Sequence, residues 1–185
     1  MAKAKNTDFD EFVKRQQPRS EAERVDWNKR RDEWLGHLKQ LYAEVEAFLK
    51  EYVDNGSIIL ERKKHRIIEE NIGAYDSEIM IIRIGRQEIA LRPVGTFLIG
   101  SRGRVDVEGS ADRAKLVLVD KDATSMRSAI KIRILVPGEP HPPAEKAPKD
   151  IDWTWRIVTS PPEVAFKELN KESFFQILMA VSNAR

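Results

Sequence analysis

Four residues in the middle of the chain have types suited to metal-assisted phosphodiester chemistry: Asp106 and Glu108 on one strand-like stretch, Asp120 and Lys121 at the end of the next. A divalent cation that activates water against a phosphate needs carboxylates converging on it and a cation to hold the developing charge. On a sheet, that set takes an acid on one strand and, on its neighbour, a carboxylate and a lysine two residues apart, all on one face. Asp106 and Glu108 satisfy the first half. Asp120 is followed directly by Lys121, and adjacent strand residues point to opposite faces, so a bulge must turn one of them. The same residues read without chemistry are polar positions on two strands of a sheet. The atypical spacing makes a metal-dependent nuclease or phosphodiesterase the second reading, with Asp106, Glu108, Asp120 and Lys121 as its catalytic set.

The other chemistry on offer is anion binding. Arg62-Lys63-Lys64-His65-Arg66 is the densest basic run in the chain, and a protein that neutralises several phosphates or carboxylates needs such a cluster. Arg102 and Arg104 flank Gly103, where a tight turn and two guanidinium forks suit an anion. Lys131 and Arg133 alternate with Ile130, Ile132 and Ile134, which puts an apolar row on one strand face and a basic pair on the other. The net charge of +2 is unevenly spread. Residues 1–56 hold 11 Lys/Arg against 12 Asp/Glu, residues 57–136 hold 15 against 11, and residues 137–185 hold 6 against 7. The positive excess therefore lies in the middle, where these eight candidates sit. Against them stand Glu61, Glu69 and Glu70 close by, and the common use of lysine to protect sheet edges.

Several classes are excluded or disfavoured. The chain has no cysteine, so disulfides, thiolate metal sites and cysteine nucleophiles are absent. His37, His65 and His141 have no metal-ligand spacing, and no metal or other cofactor is expected. Gly95, Gly100, Gly103 and Gly109 are not followed by a helix start of the kind a phosphate-cradling loop needs. Residues 1–20 contain no apolar run and no segment approaches the ~20 apolar residues of a membrane span. A cytoplasmic, membrane-free protein is the expectation.

The elements that must position these residues are legible from periodicity. Residues 1–19 read as a flexible N-terminus. Ser20 and Glu23 form a capping-box pattern that opens a long amphipathic helix over residues 20–56. Its stripe runs through Trp34, Leu38, Leu41, Val45, Phe48 and Tyr52, with Leu35, Tyr42 and Leu49 beside it. Asp54-Asn55-Gly56 is the stop. At about 34 residues and roughly 50 Å, such a helix outreaches a small sheet. Leu38 and Leu41 are accordingly the expected contacts with a second copy or a partner protein, with a kink at Gly36 as the competing outcome. Residues 57–136 switch to short strand-like runs separated by Gly and Asp: an antiparallel meander. Residues 137–150, PGEPHPPAEKAPKD, form a proline-rich loop. Residues 151–185 supply a last strand, DWTWRIVTS, and a closing helix with Phe174, Ile177, Leu178 and Val181 on one face.

The fold class that follows is α+β in one domain: a long N-terminal helix, an antiparallel meander of about seven to eight strands, and a C-terminal helix packed on the sheet. The favoured function is a non-catalytic accessory or interaction module that binds a protein or itself through the helix, and an anionic partner, nucleic acid included, through a basic sheet face.

Overall fold

The computed structural model describes residues 26–96, 101–123, 151–159 and 165–182. The Ser20 helix start, the 128–136 strand and the proline-rich loop lie outside them. So do residues 97–100, within the stretch expected as a meander.

Helix α1, Trp27–Asp54, is a single element of 28 residues. It begins at Asp26, whose carboxylate accepts from the Lys29 amide at 3.0 Å and satisfies one of the first-turn donors that have no partner within a helix. The helix runs through Gly36 without a break. It ends where Gly56 takes a positive φ of 78°, a conformation open to a residue without a Cβ. Trp34, Leu38, Leu41, Tyr42, Val45 and Leu49 are buried along it. They lie at the spacing that the stripe predicted.

Among the described residues the sheet follows in seven strands: β1 Ile58–Glu69, β2 Gly73–Ile84, β3 Gln87–Gly95, β4 Gly103–Glu108, β5 Arg113–Asp120, β6 Trp153–Val158 and β7 Phe166–Glu168. All neighbours are antiparallel and the spatial order is the chain order, β1 to β7. A cross-strand row builds the core. Met80 stands opposite Leu91, Leu91 opposite Val107, Val105 opposite Leu116, and Leu118 opposite Trp155. Opposed residues share a face, so this row presents one apolar surface to α1. β7 was not anticipated, because three residues are too few to carry a period.

β2 pairs with β3 only across Met80–Ile84, so its first half and the facing part of β1 form a two-stranded ribbon. Two-stranded ribbons twist more than full sheets. Ile58 and Ile67 are an odd number of positions apart, which on a flat strand would send them to opposite faces. Both are buried in the same core, so the ribbon coils.

Helix α2, Lys171–Val181, opens with a capping box: the Asn170 side chain accepts from the Ser173 amide, and Ser173 Oγ accepts from the Asn170 amide. Phe174, Ile177, Leu178 and Val181 join the core, with Phe174 centred 6.0 Å from Phe48 of α1.

Candidate functional site

Among the described residues β1 is the terminal strand of the sheet, and it carries the basic run. Its five cationic-type residues have different fates. Arg62 is neutralised: its guanidinium lies 4.4 Å from the centre of the Tyr42 ring, with Nη2 2.6 Å from Glu46 and Nη1 3.4 Å from Glu78. His65 is half-buried opposite Ser77. Lys63, Lys64 and Arg66 are exposed and form no ion pair with any of the described residues. The difference is tertiary: Arg62 stands against Tyr42 and Glu46 of α1, and its basic neighbours have no such contact.

The remaining basic candidates do not add to this patch. Arg102 is bound to Glu33 of α1 at 2.7 Å and lies 5.4 Å from the Trp153 ring centre. Arg104 makes a two-pronged pair with Asp106, at 2.7 and 2.8 Å. Lys131 and Arg133 lie outside the described residues.

The four residues with phosphodiester-type chemistry are not drawn to one point. Asp106 stands opposite Lys115, which places the two on one face; Asp120 lies an odd number of positions beyond Lys115 and opposite Trp153, on the other face. Asp106 is taken by Arg104, and Glu108 by Arg92 at 3.1 Å, with Arg113 at 3.8 Å. Lys121 reaches Asp152 at 3.2 Å. Among the described residues, no three His, Asp or Glu side chains are grouped as a metal site.

Leu38 and Leu41, expected at a subunit contact, are 4% and 0% exposed inside this chain's own core. The stripe is buried from Trp34 to Leu49, while Tyr52 near its end is exposed and packs edge-on against Phe175. Outward on α1 stand Lys39, Gln40, Glu44 and Glu51, all exposed.

Two features were not visible in the sequence. One is a polar knot at the tip of the ribbon. The Glu69 carboxylate accepts from the Thr96 amide and hydroxyl, each at 2.8 Å, and from the Tyr75 hydroxyl. Burial, and then the bond to Glu69, push the Tyr75 phenol well above its ordinary range. Nearby, Arg30 donates to the Thr96 carbonyl at 3.0 Å. Burial and then the Arg102 charge lower the pKa of Arg30. The knot ties β1 to the end of β3. The other feature is an open cavity of about 270 Å³ between α1, α2 and the β1–β2 end, lined by Leu49, Tyr52, Ile58, Ile84, Phe175 and Leu178 among others. Its exposed wall is apolar. No signal in either helix alone points to it, since it exists only where the two meet.

No protein-family model matches the chain, and neither a curated protein nor a solved structure matches it. No helix among the described residues is long and apolar enough to cross a membrane.

Proposed function

We propose that the protein is a non-catalytic binding module, working in the cytoplasm, that holds an anionic partner on the basic stretch of β1. One observation carries the reading: of the described basic candidates, Lys63, Lys64 and Arg66 alone are exposed and form no ion pair with a described residue. Arg62, Arg102 and Arg104 are each paired with a carboxylate of this chain. Three exposed cations within four residues of one strand attract an anion, although Glu78 and Asp76 stand opposite Lys64 and Arg66 on the inner side. The partner is a separate chain and not a copy docked on α1, whose Leu38 and Leu41 serve its own core.

Retention on a heparin resin tests this. The protein should elute at a salt concentration that falls markedly when Lys63, Lys64 and Arg66 are all changed to Glu, because each neutralised anion contributes to the salt slope. Elution of both proteins at the same low salt would sink the reading.

A further inference from the structure

We infer that the anionic partner is an extended acidic polypeptide segment that adds to the sheet as a further strand alongside β1; this rests on the reading above and names its partner. β1 has 12 residues and pairs only with β2, so among the described residues its outer edge has no strand beside it. A long edge presents a row of backbone donors and acceptors to any extended chain.

The side chains then choose which chain. Lys64 and Arg66 share one side of the strand and Lys63 takes the other, so the cations straddle the edge. A strand laid alongside sets its own residues about 5 Å from them at every second position. The inner ladder already displays the complement: β2 places Glu78 opposite Lys64 and Asp76 opposite Arg66. An incoming strand with acids at alternate positions repeats that pattern on the outer side. Ile59 and Ile68, 56% and 78% exposed, bracket the basic stretch and offer apolar contacts at its ends.

Two other occupants fit less well. A second copy paired antiparallel through the same stretch sets cation against cation, which is unfavourable. Single-stranded nucleic acid is held by aromatic side chains that stack its bases, and β1 contains no Phe, Tyr or Trp.

The test uses the whole protein and a fluorescent peptide of alternating Glu and Val. Binding should weaken about tenfold or more in the Lys63→Glu/Lys64→Glu/Arg66→Glu protein, and the bound peptide should slow hydrogen exchange at β1 amides. Should the triple reversal fail to melt cooperatively, the triple change to Gln replaces it. The same peptide with alternate amides methylated should bind about tenfold more weakly, because methylation removes ladder donors and leaves the charges. Equal binding of the methylated peptide overturns strand addition and leaves the anionic reading standing. Tighter binding of a single-stranded oligonucleotide, dependent on the same three cations, overturns the choice of partner. Binding of neither probe, or binding indifferent to the three cations, overturns both.

Discussion

Gly103 lies against the indole of Trp34 so closely that a methyl group on its α-carbon would fall 2.1 Å from Cζ3 and 2.4 Å from Cε3. Both residues are buried, and the contact joins α1 to β4. Gly103→Ala should therefore cost about 2–3 kcal/mol by overpacking, read as a lower urea midpoint. Combined with Trp34→Leu, which vacates the space, it should cost less than the two single changes together. Strictly additive losses would show that the two residues do not press on one another.

Arg62 and Lys64 are near neighbours with opposite expected phenotypes. Arg62→Ala removes a stacked cation and two partly exposed ion pairs, a loss of about 1–2 kcal/mol with little change in heparin retention. Lys64→Ala should leave stability within about 0.5 kcal/mol and shift retention. A urea titration and a salt elution of each variant decide the matter, and the reverse assignment would contradict the geometry of β1.

Leu41 is fully buried in the core, so Leu41→Ala should cost about 2–5 kcal/mol. Changing Leu38 and Leu41 together to Glu should abolish cooperative melting, since two charges cannot be hydrated there. Folded, soluble protein with altered sedimentation after the double change would return these residues to an intersubunit contact.

Burial raises the phenol of Tyr42 above its ordinary range, and burial followed by Glu69 raises that of Tyr75. The unfolded chain releases these protons near pH 10, while the folded chain keeps them. Stability from the two phenols is complete below about pH 10 and is lost as pH rises toward the folded values, because the folded state then binds more protons than the unfolded one. The melting temperature should fall above about pH 10, and tyrosinate absorbance should rise at higher pH in native protein than in urea. Coincident absorbance curves in the two conditions would contradict the burial of both hydroxyls.

The architecture was readable because it rests on local periods. The positions of Trp34, Leu38, Leu41 and Val45 fix the buried side of α1, and the spacing of Phe174, Ile177, Leu178 and Val181 fixes that of α2. The observed start of α1 was less legible, since Ser20 and Asp26 both suit a cap and only the latter lies in the described region. The cap of α2 was hidden because Ser173, and not Glu or Gln, completes its box. At the site, the cations were visible and their counter-charges were not. Arg102 finds Glu33 at a separation of 69 residues, and nothing along the chain announces that pairing. The coil of the ribbon likewise depends on where the β2–β3 ladder stops, at Met80, which no alternation pattern encodes.

The chain-ordered sheet also has a kinetic meaning. Pairing sequence neighbours keeps contacts local, and local contacts close quickly because short loops lose little entropy. The β1–β2 and β4–β5 hairpins meet this condition, each being closed by a few residues. The ladder between β5 and β6 does not, since residues 121–152 lie between its strands. Bringing β6 to β5 across that separation in sequence is the expected late event of folding. Destabilising Leu118 or Trp155 should then quicken unfolding far more than it slows refolding, and the join between the early and late parts of the chain lies at the registered pair Leu118 and Trp155.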